Sequence, residues 1–410
     1  DAPTMSSAAE KRHVGVIGAG PIGLYAALRL VKEGHSVTVW ESGEVAANVL
    51  SWGFVELFSS VGLNVPKPMR EALSGEELPD DAAYLTGGAF RDTFLLPLAQ
   101  TLRESGKCEI KENCRVVGVG RGRLLKGEGI AAIGDSRRLT QPFRVLYAFD
   151  DDDDERVDSC DALVDASGTY STSSALRSGV GGLLAPGERQ AENAGKIVRV
   201  VPDPATFPEL VAGKRVAVLG AGYSAVTTLQ SLLAADCSVL WLVRKTVTEN
   251  VYERLPDDPL PQRDRLASLG NDLVRRFTSH FEFCDGVGIQ RFEQPHGKLR
   301  LHLERDNGET LVRDVDLLFS LTGYRPDAQF HSELQVHTCY ASDGPMNLAA
   351  TLLAAKGAGG DCLAQAAPGP ATLQNPEPGF FILGMKSYGR NSSFLMRVGY
   401  EQVDLLLDAL

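Results

Sequence analysis

The chain has 410 residues, 43% hydrophobic and 23% charged, which is enough material to bury two or three domain cores. Its 41 basic and 53 acidic residues leave a net charge of -12, which repels phosphate backbones and anionic lipid, so neither nucleic acid nor a membrane is an expected partner. Cys108, Cys114, Cys160, Cys237, Cys284, Cys339 and Cys362 are widely spaced and include no C-x-x-C pair, against a disulfide framework or zinc ribbon and in favour of a reducing, cytoplasmic compartment.

Residues 1–12 read as a flexible tail without a signal-peptide core, although a removed organelle-targeting peptide would leave no trace in them. Residues 13–18 (HVGVIG) predict a short buried strand, 21–33 a helix carrying Ile22, Leu24, Leu28 and Leu30, and 36–40 (SVTVW) a second strand. That succession is a βαβ unit, whose crossover makes its strands parallel. A helical stretch over 89–104 and a β-rich stretch over 115–164 follow, with the acidic run 150–155 as a solvated hairpin tip. A proline-containing connector, 201–214, leads to a second copy of the unit: strand 215–220 (RVAVLG), helix 224–234 and strand 238–243 (SVLWLV). Segments 64–83, 249–264, 343–367 and 366–379 read as loops, the last preceding strand 380–384 (FFILG) and a closing helix over 400–410. The fold class expected is α/β, with two Rossmann-like (three-layer ββα) nucleotide-binding domains.

The two copies carry the chemistry. In Gly18-Ala19-Gly20-Pro21-Ile22-Gly23 the first glycine permits a tight turn, the second lets the backbone approach a pyrophosphate, and the third allows close helix–strand packing. The helix tip offers unpaired N–H groups to phosphate. Glu41, beside Ser42 at the end of the second strand, can accept hydrogen bonds from a ribose diol and repels a 2′-phosphate, so this turn suits FAD or NAD. In Gly220-Ala221-Gly222-Tyr223-Ser224-Ala225 alanine stands for the third glycine, and Arg244 and Lys245 take the place of Glu41. Two cations there suit a 2′-phosphate and favour NADPH over NADH. Two further strand exits echo each other, ALVDASGTY at 162–170 with Gly168 and DLLFSLTGY at 316–324 with Gly323. His331 and His337 are six apart, the wrong spacing for two ligands on one helical face, so no metal is expected.

These motifs resemble the two-dinucleotide-binding-domain flavoproteins, the group of glutathione-reductase-like and thioredoxin-reductase-like enzymes and flavin-containing monooxygenases. The resemblance covers nearly the whole chain. It implies FAD held by a discontinuous domain (13–200 and 329–410), with an NAD(P)H-binding domain (201–328) inserted between its parts. Disulfide reductases of that group need a cysteine pair beside the flavin, and no such spacing exists here. GAGYSA resembles the GxGxSA of the monooxygenases and their N-hydroxylating relatives, and Asn64-Val65-Pro66 resembles their Asn-x-Pro segment, which implies a flavin-facing catalytic asparagine at Asn64. The monooxygenase fingerprint F-x-G-x3-H-x3-[FY] is absent, and residues 196–208 (KIVRVVPDPATFP) stand in its place.

The resemblance further places the segment from Gly384 through Met385, Lys386 and Tyr388 to Arg390 against the ribityl chain and pyrimidine ring, with Met385 where relatives often have an acid. Lys386 or Arg390 would there stabilise reduced, anionic flavin. Trp52 and Phe54 are candidates either to pack on the isoalloxazine or to fill a core. The function implied is an FAD- and NADPH-dependent monooxygenase acting on a small molecule with O2 through a flavin C4a-(hydro)peroxide. The alternatives are an NAD(P)H-dependent flavoprotein reductase or dehydrogenase without a redox-active disulfide, and a flavin-loaded sensor. A homodimer is the other partnership this reading admits.

Overall fold

The computed structural model describes residues 11–75, 77–130, 133–152, 154–170, 175–276, 278–356 and 367–410. Cys362, residues 1–10 of the tail, and parts of the 343–367 and 366–379 segments lie outside the described residues. The chain divides into two compact units, one from Asp1–Gly53, Ser60–Thr169 and Arg325–Leu410 and the other from Phe54–Ser59 and Tyr170–Tyr324. The first is therefore discontinuous in sequence.

Short β-branched and aromatic runs make the strands. The first unit opens with β1 (His13–Ile17), β2 (Ser36–Trp40), β3 (Cys108–Lys111), β4 (Cys114–Arg121), β5 (Phe143–Phe149), β6 (Glu155–Cys160) and β7 (Ala162–Asp165). The second holds β8 (Ile197–Val198), β9 (Lys214–Leu219), β10 (Cys237–Leu242), β11 (Phe281–Cys284), β12 (Val287–Glu293), β13 (Leu299–Arg305), β14 (Thr310–Val315) and β15 (Leu317–Ser320). The chain then returns to the first unit with β16 (Phe380–Ile382).

In the first unit β16, β7, β1, β2 and β3 form a parallel sheet in that order, and β4, β5 and β6 an antiparallel one. Strands β1, β2, β7 and β16 are buried on both faces, which is why they read as nearly unbroken apolar runs, while β3 at the sheet edge is only partly buried. One core joins Ile17, Trp40 and Leu163 of the parallel sheet to Val119, Phe143, Val145 and Tyr147 of the antiparallel one. Helices Pro21–Lys32 and Met396–Ala409 carry the other apolar surfaces, with the rings of Tyr25 and Tyr400 meeting edge to face at 5.1 Å. The described residues of the acidic run lie at the turn between β5 and β6.

The second unit repeats the plan, with β11, β10, β9, β15 and β8 in a parallel sheet and β12, β13 and β14 antiparallel. Ala217, Leu219, Leu240 and Leu242 face Ile289, Phe292, Leu301 and Leu303 of the small sheet. Val216 and Val218 face Ala225, Val226 and Leu229 of helix Tyr223–Leu233, and Ala267 and Leu273 of helix Pro261–Val274 pack into the same cluster. Each unit is thus a three-layer ββα sandwich.

Several segments expected as loops contain helices. Met346–Lys356 falls inside 343–367, and its sequence is apolar almost all round, so it shows no amphipathic stripe to read. Lys67–Ala72 falls inside 64–83 and Phe207–Val211 inside the 201–214 connector, both too short for a periodic signal. The closing helix begins at Met396, four residues before its expected start. Within the expected 89–104 helix, residues Arg91–Leu95 form a π-helical turn just before Pro97, whose missing N–H removes one regular helical bond.

Candidate functional site

The first glycine turn leaves the carboxyl end of β1. Gly18 has φ +99°, a left-handed conformation that favours glycine, and a Cβ there would lie 2.8 Å from the Ala166 carbonyl oxygen. A Cβ on Gly23 would lie 1.9 Å from the Gly18 carbonyl oxygen, so only hydrogen lets the helix pack this close to the strand. A Cβ on Gly20 would meet nothing within 4 Å. Open space therefore lies over the tip of helix Pro21–Lys32, whose Gly20 cap contributes no side-chain hydrogen bond and whose first N–H groups have no intrahelical acceptor. This concavity fits a pyrophosphate.

Glu41 reaches back over the turn. Its carboxylate accepts the Ala19 N–H at 2.7 Å and the Gly43 N–H at 2.9 Å, with the exposed Ser42 hydroxyl at 3.4 Å. Each oxygen keeps acceptor capacity for a ribose diol. Gly168 follows β7 at the same end of the sheet, beside the Ala166–Ser167 backbone that Gly18 approaches, and it too would carry a Cβ into open space.

The 384–390 segment adjoins this turn, since a Cβ on Gly384 would lie 3.2 Å from Ile22 Cγ1. The fully buried Gln402 amide holds it in place, accepting the Gly384 N–H at 2.8 Å and donating to Ser387 Oγ at 2.9 Å. Met385 is half-buried. Lys386 is 2% exposed, and its ammonium sits 2.6 Å from Asp165 Oδ2, donates to Ser167 Oγ at 3.0 Å and lies 4.2 Å over the Phe330 ring. The charge expected at the flavin edge is thus paired within the fold. Arg390 is exposed and pairs with Asp343 at 2.5 Å. Tyr388 packs on Phe394 in the core, where burial pushes its phenol up to about 12. Asn64 is buried as the last residue of helix Val61–Asn64, and Trp52 packs on Gly87, whose Cβ would come within 2.5 Å of its ring.

The structure therefore brings Gly18, Gly20, Ile22, Gly23, Glu41, Gly168, Gly384 and Lys386 to the carboxyl end of one sheet. It adds Asp165, Ser167, His331 and Gln402, which motif reading did not single out. Asp165 lies inside ALVDASGTY, where a carboxylate ending an apolar strand is the signal that could have marked it.

His331 is buried 3.9 Å from Asp165. Burial pushes its pKa below the usual 6.5, and the Lys386 ammonium pushes the same way against the opposing carboxylates of Asp165 and Asp327. The folded protein thus binds this proton less readily than the unfolded chain. Stability rises with pH through the window just below 6.5 and is lost as pH falls from there. His331→Gln is expected to flatten that acid limb, as checked by denaturant unfolding at a series of pH values from about 5 to 7.

The second turn has the same logic in a wider form. Gly220 has φ +140°, and a Cβ there would lie 2.4 Å from the Leu321 carbonyl oxygen. Gly222, the cap of helix Tyr223–Leu233, again faces open space. The methyl of Ala225 is fully buried where the first turn admits only hydrogen. The Tyr170 hydroxyl bonds Ser224, and its ring stacks on Tyr324 at 4.4 Å. Gly323 follows β15 and accepts the Leu176 N–H at 2.9 Å. Arg244 and Lys245 are exposed just beyond β10. Lys245 lines a cleft of 430 Å³ together with Ala221, Thr246, Asn250, Glu249 and Glu253. Lys245→Ala is expected to lower kcat/KM for NADPH about tenfold while leaving NADH nearly unchanged, the usual size for one charge-assisted contact. Steady-state kinetics with both nucleotides checks this.

Among the described residues, no helix is long and apolar enough to cross a membrane, and no group of three His, Cys, Asp or Glu could hold a metal ion.

Residues 12–344 match the family described as pyridine nucleotide-disulphide oxidoreductase. No curated protein matches the chain. The fold is similar to that of the bacillithiol disulfide reductase of Bacillus cereus (TM-score 0.67, 18% identity, covering 97% of this chain and 98% of that one). It is also similar to DfoA, the desferrioxamine-pathway cadaverine monooxygenase of Erwinia amylovora (0.64, 14%, 98% and 94%), and to the ornithine N-hydroxylase of Kutzneria sp. 744 (0.59, 14%, 97% and 100%). Two glycine turns on two ββα units, each open where a pyrophosphate would rest, agree with that match, and the chain belongs to the pyridine nucleotide-disulphide oxidoreductase family as a flavin-dependent oxidoreductase that uses FAD and NADPH.

Proposed function

We propose that the chain is a monooxygenase that takes two electrons from NADPH and one O2, leaving one oxygen atom on a small molecule and the other in water. The observation that carries this reading is the cysteine chemistry. The six described cysteines are all free, and burial raises the thiols of Cys108, Cys114, Cys160, Cys237 and Cys284, which suits packing and not exchange. The sequence offers no C-x-x-C or C-x4-C pair to pass electrons to a disulfide. The cadaverine monooxygenase and the ornithine N-hydroxylase show that this fold hosts such chemistry elsewhere.

In this reading Gly18, Gly20 and Gly23 receive the FAD pyrophosphate, Glu41 the ribose, and the 384–388 turn the ring system. Gly220, Gly222 and the tip of helix Tyr223–Leu233 receive the NADPH pyrophosphate, with Lys245 and Arg244 toward its 2′-phosphate. Bound FAD supplies hydride acceptance and oxygen activation. Asn64, Lys386 and Arg390 remain the catalytic candidates, Lys386 acting through its fixed place beside Asp165 and Ser167.

A second reading, a reductase of a small oxidised substrate, is favoured by Cys339. The Ser342 hydroxyl and the Ala341 and Ser342 amides hold its thiol below the usual range. Stopped-flow spectra separate the two. The protein reduced with NADPH under argon and then mixed with air should regain its oxidised spectrum through a distinct delayed phase. A single direct return, with fast turnover on quinone or disulfide acceptors that Cys339→Ser abolishes, would establish the reductase.

A further inference from the structure

We propose that Tyr252 is a positioning residue for the nicotinamide dinucleotide, fixing the N–H groups of the second glycine turn through that turn's carbonyl; this rests on the reading of that turn as the dinucleotide site.

The Tyr252 side chain is 5% exposed, and its hydroxyl donates to the Gly222 carbonyl at 3.1 Å. The same carbonyl accepts the Ala225 N–H at 3.0 Å. A trans peptide is planar, with its C=O and N–H pointing in opposite directions. Holding the Gly222 oxygen inward therefore aims the Tyr223 N–H outward, over the open helix tip. A hydrogen bond accepted at the oxygen also polarises the N–H of the same peptide unit and makes it a stronger donor to an anion. Trp241 does the same two residues earlier, its indole N–H donating to the Gly220 carbonyl at 2.8 Å and so orienting the Ala221 N–H.

The surrounding structure is built to place this phenol. Asn271 grips the Tyr252 backbone from both sides, its amide oxygen accepting the Tyr252 N–H at 2.9 Å and its amide nitrogen donating to the Tyr252 carbonyl at 2.9 Å. Asn271 is 5% exposed inside helix Pro261–Val274, where a buried amide is unfavourable unless both ends are satisfied. Its neighbour Gly270 is also mid-helix, a destabilising place for glycine. A Cβ there would lie 2.2 Å from the Tyr252 ring, so the glycine makes the slot in which the ring sits. The ring then packs between Tyr223, at 5.6 Å between centroids, and Trp241, at 6.5 Å. Two locally costly residues on one helix thus converge on one tyrosine, and that tyrosine's only polar group reaches the turn. Burial raises its pKa, so the hydroxyl stays a donor.

The test uses the full FAD-loaded chain and NADP+ as the probe. Tyr252→Phe keeps the ring and removes the hydroxyl. It is expected to weaken NADP+ binding by calorimetry about fivefold to tenfold, with FAD content, unfolding midpoint and the rate of flavin reduction at saturating NADPH all unchanged. Gly270→Ala, which displaces the ring, should weaken NADP+ binding at least as much. Unchanged NADP+ affinity in Tyr252→Phe, or a loss matched by a lower unfolding midpoint, would overturn the positioning role while leaving the site assignment intact. Failure of the wild-type chain to bind NADP+ would overturn both.

Discussion

Gly23→Ala is expected to yield a colourless protein. The added methyl would sit 1.9 Å from the Gly18 carbonyl oxygen, a backbone atom that cannot rotate aside. Helix Pro21–Lys32 must then lift from β1, which moves the N–H groups that face the phosphates. Overpacking of this kind costs about 3 kcal/mol or more, roughly 100-fold in FAD affinity. The ratio of flavin to protein absorbance after purification, followed by titration of the apoprotein with FAD, measures it. The second turn supplies the control within the same molecule. Ala225 already carries the methyl there, so Ala225→Gly should leave NADPH affinity nearly intact and cost the buried methyl plus the lower helix preference of glycine. If Gly23→Ala retained flavin fully, the close helix–strand approach would not be what shapes the cradle.

The other large effect concerns the buried ion pair behind that cradle. Asp165 is fully buried and Lys386 2% exposed, with Ser167 bridging them. Lys386→Met leaves the Asp165 carboxylate without its cation, and removing one partner of a buried pair destabilises by about 3–5 kcal/mol. For a unit of this size that corresponds to a fall of roughly 10 °C in the unfolding midpoint. Asp165→Asn should fall less far, because an ammonium can keep the Ser167 hydroxyl and the Phe330 ring. The double variant Asp165→Asn/Lys386→Met should be more stable than Lys386→Met alone, since no unpaired charge remains. Thermal unfolding of the four proteins closes the cycle, and purely additive effects would mean that the pair is not coupled.

The first unit's strand–turn–helix–strand pattern was legible in the sequence because short-range chemistry dictates it. Gly18 and Gly220 hold backbone conformations that other residues adopt with strain, and the strands around them are apolar because both faces are covered. The repeated motif implied two nucleotide units, and their inserted order came from the resemblance to the two-dinucleotide-binding-domain flavoproteins. What sequence reading missed was long-range. The Asp165–Lys386 pair joins residues more than 200 positions apart, so the lysine looked like a free cation in a basic loop. Trp241, Tyr252, Gly270 and Asn271 gave no motif at all, since their role appears only when β10 and helix Pro261–Val274 pack together. Helix Met346–Lys356 was hidden by its uniformly apolar composition, which carries no period.

On the proposed reading, the first turn holds one FAD and the second delivers reducing equivalents to it from NADPH. Reconstituting the apoprotein with FAD, removing the excess and adding NADPH without oxygen tests it in one cuvette. One flavin per chain and complete bleaching by one equivalent of NADPH are expected. A protein that takes up no flavin, or whose bound flavin stays oxidised with NADPH and with NADH alike, would contradict it.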